Sequence, residues 1–517
     1  MNRRTFLTSL SAAALPAQRP NIVVIMADDM GISDIGCYGS EIPTPNLDRL
    51  AARGIRFTQF TNTARCCPTR AALLTGLYQH QAGVGMMIQD LGKPSYQGYL
   101  NDRCVTMGEV MRAGGYRTLM AGKWHVGEDR PHWPTDRGFE RYFGLISGAS
   151  NYFRLDSGRK MALNDKPYTP EGEGFYMTNA FTDHALRFVD ELGRGPDPFF
   201  LYLAYTSPHW PLHALQEDIE KFRGKYRMGW DELRRRRHAR MIELGIADRR
   251  WPLTPRDPDV PAWDSVPDKE DLDVRMAIYA AQIHCMDRNV GRLVSKLEQN
   301  GQLDNTLILF LADNGGCHEV VDRGIKGAAP GGPDSFLSYG RGWANASNTP
   351  FRLFKHWVHE GGIASPLIAH WPARIRKGGG LTHQFGHVID LMATCVDAGG
   401  VRYPKEYKGK PVTPLEGKSL LPVLDGRTRQ GHEAVFWEHA GNRAVRAGKY
   451  KLVSRSDGAN RNQWQLYDLE ADRTELKDLS PAMPAKAAEL EAKYQAWARK
   501  VGAFTPEELR RGRKEKG

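Results

Sequence analysis

The residues with the most chemistry in their types and spacing are Cys66-Cys67-Pro68-Thr69-Arg70. Arg70 follows Cys66 by four residues, one turn of a helix. Read alone, the stretch is also a buried Cys pair before a Pro that opens a helix, since Pro suits a first turn and residues 71–74 favour helix. Asp28-Asp29 ends an apolar run, and Asp313-Asn314-Gly315 ends another. Adjacent carboxylates resist joint ionisation unless a cation lies between them, and oxygen ligands suit a hard divalent ion. Alone, either Asp also reads as a helix cap. Lys123 and His125, two apart at a strand end, point the same way and can meet one anion. His209 stands between turn residues just past a strand, and Lys355 precedes Glu360-Gly361-Gly362.

Apolar strands alternating with helices must position these groups. Strands are expected at 21–27, 54–60, 116–121, 198–204, 306–312 and 367–370, and helices at 107–113, 181–193, 274–299 and 388–398. Continuously apolar strands of this kind belong to a parallel α/β sheet, whose ligands gather at the strands' carboxyl ends. Two strand ends carrying oxygen donors, if neighbours, converge on one cation. Residues 212–270 read as a basic helical insertion and 317–349 as a Gly-rich loop. After residue 400 the composition shifts. Strands at 433–438, 444–454 and 464–469 and a helix at 484–500 suggest a small α+β domain with a frayed tail after 506. The expected organisation is an export signal at 1–18, a catalytic domain at 20–400 and a C-terminal domain at 401–517.

Charge and cysteines narrow the class. The chain has 517 residues, 71 basic and 60 acidic side chains and a net charge of +11. That balance permits an anionic substrate, but no nucleic-acid motif accompanies it. The run Arg234-Arg235-Arg236-Arg237 reads as a solvated helix face. Seven cysteines are too sparse for a disulfide scaffold and show no zinc spacing; their odd number singles out one, Cys66, for a separate task. No stretch is long and apolar enough to anchor the chain in a membrane. Asn2-Arg3-Arg4-Thr5-Phe6-Leu7-Thr8, a weakly apolar stretch at 6–15 and small residues at 12–17 form a twin-arginine pattern. It implies folded export by the twin-arginine machinery to a bacterial periplasm or medium, the alternative being the basic N-terminus of a cytoplasmic protein.

Ala27-Asp28-Asp29-Met30-Gly31, the stretch from Cys66 to Gly76, Gly115 through His125, Ala312-Asp313-Asn314-Gly315 and Lys355 through Gly362 occur together and in this order. In these motifs the chain resembles the type I sulfatases, and within them the bacterial arylsulfatases, of the alkaline-phosphatase superfamily. Thr69 replaces the commoner Ser, and Arg65 stands where an apolar or small residue is more usual. The resemblance implies a large, mostly parallel α/β sheet flanked by helices, with a small C-terminal α+β domain carrying an antiparallel sheet. It implies that a maturase oxidises Cys66 to formylglycine, whose hydrate attacks sulfur, while Cys67 stays a cysteine. It implies a calcium ion on Asp28, Asp29, Asp313, Asn314 and the modified residue 66. Arg70 would hold the diol, Lys123 and Lys355 would bind sulfate oxygens, and His209 or Lys355 would protonate the leaving oxygen. His125 would accept the second diol proton, and Asp313 the attacking hydroxyl's. The substrate would be an aryl or carbohydrate sulfate, a sulfated small molecule or glycan. Two alternatives stay open: a phosphonate or phosphate-diester hydrolase with the same nucleophile, and a sulfated-glycan-binding protein without turnover. Specificity would arise from 78–104, 212–270, 317–349 and the C-terminal domain. Trp210, Trp343 and Trp357 are candidates to stack on a ring, though core packing is the commoner use of Trp.

Overall fold

Strand β1 (Asn21–Ala27) shows why the chain folds around a central sheet. Ile22, Val23, Val24, Ile25, Met26 and Ala27 are all 0% exposed. A strand with no polar face has to be covered on both sides and paired on both edges. The computed structural model describes residues 18–172, 174–458 and 460–509, so the twin-arginine stretch lies outside the described residues. The strands that follow are β2 (Ile55–Thr61), β3 (Arg117–Gly122), β4 (Arg141–Leu145), β5 (Met161–Leu163), β6 (Lys166–Pro167), β7 (Phe199–Ala204), β8 (Thr306–Ala312), β9 (Ala364–His370), β10 (Gly380–Thr382) and β11 (Gly386–His387). They form one sheet in the order β10-β2-β9-β8-β1-β7-β3-β4-β5-β6, with β11 also on β2.

The centre, β8-β1-β7-β3-β4, is parallel. Strand β9 runs antiparallel to both β8 and β2. Consequently β2 points the same way as β1, and the residues just before β9 lie at the same edge as those just after β1, β2, β3, β7 and β8. Ala27 pairs with Ala312, so the chain leaves β1 and β8 side by side. The expected mostly parallel α/β sheet is the observed one. The short β4, β5, β6, β10 and β11 have no apolar run long enough to mark them in the sequence.

Alternate side chains feed two cores. Val23, Ile25 and Ala27 face the layer containing the long helix Lys269–Gln299 and the helix Met177–Leu192. Ile22, Val24 and Met26 face the helices Cys66–Thr75 and Asp390–Ala398. The long helix starts earlier than its periodicity suggests because Asp268 caps it, accepting from the Asp271 amide. Beyond residue 400, strands Val435–His439, Asn442–Ala447, Tyr450–Ser454 and Trp464–Asp468 form an antiparallel sheet backed by the helix Pro484–Val501. The single strand expected at 444–454 is therefore two. Gly448, at φ 58°, turns the chain between them. Val445, Leu452, Leu466, Leu490 and Trp497 share a core with Leu73 and Leu74, so this sheet and its helix share one core with the helix that opens at Cys66.

The basic run is not a solvated face throughout. Arg235 and Arg236 are exposed, but Arg237 is 1% exposed and pairs with Asp34 Oδ1 at 2.6 Å and Glu41 Oε2 at 2.8 Å. Helical periodicity sends residues 234 and 237 inward together. Asp34 in turn accepts from the Gly31 amide and the Tyr279 hydroxyl, both at 2.8 Å. The insertion thereby braces the turn that follows Asp28-Asp29. Among the described residues no helix is long and apolar enough to cross a membrane, and the seven cysteines are buried and unpaired.

Candidate active site

The acid pair, Cys66, Arg70, Lys123, His125, His209, Asp313, Asn314 and Lys355 meet at the carboxyl edge of the sheet. Asp28 and Asp29 follow β1, Cys66 opens the helix after β2, and Lys123 and His125 follow β3. His209 follows β7, Asp313 and Asn314 follow β8, and Lys355 enters from the reversed strand β9. Lys123 Nζ donates to Asp28 Oδ2 at 2.6 Å, and Arg70 Nη2 donates to Asp313 Oδ2 at 2.8 Å and lies 3.5 Å from Asp28 Oδ2. Lys355 Nζ donates to Asp29 Oδ2 at 2.8 Å and lies 3.3 Å from His209 Nε2. Asn314 Nδ2 donates to Asp29 Oδ1 at 2.7 Å, and the Asp29 amide donates to Asp313 Oδ1 at 3.1 Å. Asp28, Arg70, Lys123, Asp313 and Asn314 are each 0% exposed.

The backbone is bent to reach this arrangement. Asp29, Ala64 and His125 have φ of 65°, 66° and 58°, a region L-residues adopt only when surroundings hold them there. Thr69 supplies part of that hold. Its hydroxyl donates to the Asp313 carbonyl at 2.6 Å and lies 2.9 Å from the Thr63 hydroxyl, tying the helix that begins at Cys66 to the end of β8.

Electrostatics follow from burial among opposite charges. Burial opposes ionisation of Asp28, but Lys123, His209 and Arg70 outweigh it and hold the carboxyl well below the usual range. Burial, then the Asp28 charge, pushes Asp313 well above its ordinary value. Burial also lowers His125 to about 4 and lowers His209, against the pull of Asp29. The hydrogen bond to Cys67 lowers the Cys66 thiol well below its ordinary value; burial opposes this and the Lys123 charge helps it.

A hard cation suits this donor set. Asp28 Oδ1 and Asn314 Oδ1 are buried without a hydrogen-bond partner, an expensive state for oxygens that can ligate metal. The side-chain ligand atoms of Asp28, Asp29 and His209 lie within 4.8 Å of one another.

Three features were not read from the sequence. Cys67 touches a site residue: its Sγ lies 3.3 Å from both ring nitrogens of His125. Tyr202 accepts from Arg70 at 3.4 Å. Glu319 accepts from Arg65 Nη1 at 2.9 Å and from Trp210 Nε1 at 3.0 Å, at the outer side of His209. Of the residues in these contacts, the unusual Arg65 and the ring candidate Trp210 carried a signal in the sequence. Trp343 is 0% exposed among Tyr226, Trp230 and Trp263 and belongs to the core.

Residues 20–401 match the family model described as Sulfatase, and residues 351–498 match the model described as N-sulphoglucosamine sulphohydrolase, C-terminal. The chain is 35% identical to an arylsulfatase of Klebsiella aerogenes, over 83% of this chain and 98% of that protein. It is 34% identical to an uncharacterised sulfatase of Schizosaccharomyces pombe, over 95% of each. The solved structure of Ps i-CgsB in complex with k-i-k-neocarrahexaose is similar over 93% of each chain, with a TM-score of 0.69 and 27% identity.

Proposed function

The chain belongs to the sulfatase family of the alkaline-phosphatase superfamily and is a sulfuric ester hydrolase, and on that premise we propose that it works through a formylglycine made from Cys66 and a calcium ion held by Asp28, Asp29, Asp313 and Asn314. The observation that carries this reading is the meeting, around Cys66, of the oxygen donors after β1 and β8 with the cations Arg70, Lys123 and Lys355. A divalent ion would offset the burial that opposes ionisation of Asp313; with it bound, three carboxylates oppose three fixed cations and the ion leaves the site positive and suited to a sulfate ester. When bound, calcium would supply Lewis acidity toward a sulfate oxygen and toward the residue 66 hydroxyl. Once formed, the hydrated aldehyde at residue 66 would supply one hydroxyl to attack sulfur and a second whose proton loss releases sulfate.

The chain's own residues do the rest. Arg70, fixed by Asp313, orients residue 66 from one turn along the helix. Lys123 and Lys355 bind sulfate oxygens as point charges and offset the charge that builds up at sulfur. Burial keeps His125 neutral near pH 7, so its ring can take the second hydroxyl's proton. Asp313, beside Arg70, takes the attacking hydroxyl's proton. His209 or Lys355, in contact with each other, donates a proton to the leaving oxygen. Conversion of Cys66 calls for a maturase, and folded export through the twin-arginine route would let it act first in the cytoplasm.

The test pairs turnover with chemistry at residue 66. Protein co-expressed with a formylglycine-generating maturase should hydrolyse 4-nitrophenyl sulfate faster than bis(4-nitrophenyl) phosphate, and its tryptic peptide spanning residue 66 should carry the aldehyde mass. Exhaustive chelation should abolish turnover and Ca²⁺ restore it. An unmodified thiol in active enzyme, or a preference for the diester, would overturn the reading.

A further inference from the structure

Arg446 carries a charge that its neighbours leave without a carboxylate. It lies on the strand Asn442–Ala447 and is 9% exposed. Its Nη2 donates to Gln59 Oε1 of β2 at 2.7 Å, and its Nε donates to the Gly448 carbonyl at 3.1 Å. Both acceptors are neutral. Its Nη1 is buried with no acceptor among the described residues. The guanidinium stands 4.2 Å from the centroid of the Phe385 ring, which offsets part of the cost of burying it. Arg70 and Arg237, also buried, are placed differently: Arg70 faces Asp28 and Asp313, and Arg237 faces Asp34 and Glu41. Burial lowers Arg446 to about 10, with the Glu360 charge opposing that fall and the Arg473 charge adding to it. A buried N–H without an acceptor points to a bound water or ion. A buried charge calls in addition for a counter-charge.

Arg446 lines a cavity of about 220 Å³ together with Phe385, Thr428, Arg429, His432 and Gly448. Arg429 brings a second buried N–H without an acceptor, its Nε, while its Nη2 donates to Asp390 Oδ2 at 2.8 Å. His432 Nε2 lies 2.6 Å from the other Asp390 oxygen. Asp390 is thus engaged by Arg429 and His432, and the Arg446 charge is left over. None of these residues belongs to the group that meets at Cys66, so the cavity is separate from the catalytic edge. We propose that it binds a small inorganic oxyanion, sulfate or one of its size and shape, between the guanidinium groups of Arg446 and Arg429. A planar guanidinium presents paired N–H groups that match two oxygens of one oxyanion, whereas a halide offers a single point. The volume is that of about seven waters at about 30 Å³ each, enough for a tetrahedral anion and part of its hydration. Thr428, exposed at the rim, adds a hydroxyl donor. Bound there, the anion would join the strand Asn442–Ala447 to the residues just before β11 and to the segment carrying Thr428 and Arg429.

The crystallographic probe is selenate, which shares sulfate's charge and shape and scatters anomalously. Crystals of the full chain soaked in selenate should show an anomalous peak within hydrogen-bonding reach of Arg446 and Arg429. In solution, calorimetry with sodium sulfate at constant ionic strength should detect a binding event that Arg446→Met weakens at least tenfold. Thr428→Glu changes only the exposed rim and sets a carboxylate beside the two guanidinium groups; it should abolish the same event and raise the melting temperature in chloride. Both variants should leave the inhibition constant of sulfate against 4-nitrophenyl sulfate turnover within twofold of the parent, since that constant reads the catalytic edge. An equal shift in it would place the binding there and overturn the inference. Sulfate binding that both substitutions leave within threefold would overturn it as well, and a selenate peak beside that result would be an adventitious ion only. So would crystals with no anion on Arg446, or chloride bound as tightly as sulfate. The crystal and calorimetric results do not depend on conversion of Cys66, so they stand apart from the reading above.

Discussion

Arg70 is a buried guanidinium that touches three chain segments. It donates to Asp313 Oδ2 at 2.8 Å, to the Lys123 carbonyl at 3.1 Å and to the Tyr202 hydroxyl at 3.4 Å. A lysine at this position has one compact ammonium on a flexible stem and cannot span those acceptors. Arg70→Lys should lower kcat/KM for 4-nitrophenyl sulfate by roughly a hundredfold or more, the scale of losing one preorganised charge-stabilising donor. Steady-state kinetics alongside urea unfolding would measure the loss in folded enzyme; a fall under tenfold would count against a direct role. At this scale the sequence was informative where chemistry restricts residue type. The acid pair, Asn314, Cys66, Lys123, His125, His209 and Lys355 all proved to share one edge. It was silent on Cys67 and Glu319, because their importance lies in what they touch across the fold, and nothing local to Cys67-Pro68 or His318-Glu319 encodes His125 or Trp210 as a neighbour.

Elements hold these residues through close backbone approach and buried caps. A Cβ on Gly315 would lie 1.9 Å from the Gly361 carbonyl oxygen, and the Gly315 amide donates to the Gly362 carbonyl at 3.0 Å. The end of β8 and the entry to β9 touch here, so Gly315→Ala must part the segments bearing Asn314 and Lys355. It should destabilise the fold by about 2 kcal/mol, in the range for overpacking a core, and cut activity further than stability alone explains. Thermal unfolding read beside kcat would separate the two effects. Asp390, at the start of the helix Asp390–Ala398, accepts from the His387 and Lys418 amides at 3.0 and 2.9 Å and pairs with Arg429 at 2.8 Å and His432 at 2.6 Å. Burial raises its pKa, but His432 and Arg429 overcome that and take it from its ordinary 3.8 to about 2. A depressed carboxyl stabilises the fold above the unfolded value and loses that contribution as pH falls through the folded one. Asp390→Asn should therefore cost about 3 kcal/mol near neutrality, in the range for breaking a buried pair, with the difference from the parent shrinking between pH 4 and 2. Urea midpoints across that interval would check it; a difference constant with pH would refute the assignment to Asp390. The helices and long apolar strands were legible from periodicity. The antiparallel β9 was not, because strand direction is decided by tertiary pairing, although it alone explains how Lys355, which precedes a strand, joins residues that follow strands.

At the scale of the whole molecule, the question is whether residues 401–517 are a domain apart, as their composition suggests. Lys451, on the strand Tyr450–Ser454, is 0% exposed and pairs with Glu360 and Glu475, each at 2.9 Å. Arg473 pairs with Glu360 at 2.8 Å and donates to the Thr58 carbonyl of β2. Glu360 opens the short helix Glu360–Ile363, five residues beyond Lys355 and directly before β9. A buried charge network thus ties the C-terminal sheet to the segment that delivers a sulfate-binding lysine, and the apolar core beneath is shared with the helix that begins at Cys66. Buried pairs of this kind are costly to break from one side, because the stranded charge has no water to turn to. Lys451→Met should cost about 3–5 kcal/mol and lower the melting temperature of the whole chain, not of its last hundred or so residues alone. The measurement is thermal unfolding followed in parallel by far-UV circular dichroism, by residual 4-nitrophenyl sulfate turnover and by proteolysis of the helix Pro484–Val501. One shared midpoint, displaced equally in the variant, is expected if the sheet and the site fold as a unit. Release of the C-terminal helix below the temperature at which turnover is lost would mean that the boundary near residue 400 is a true domain boundary, with Lys451 stabilising only its own side.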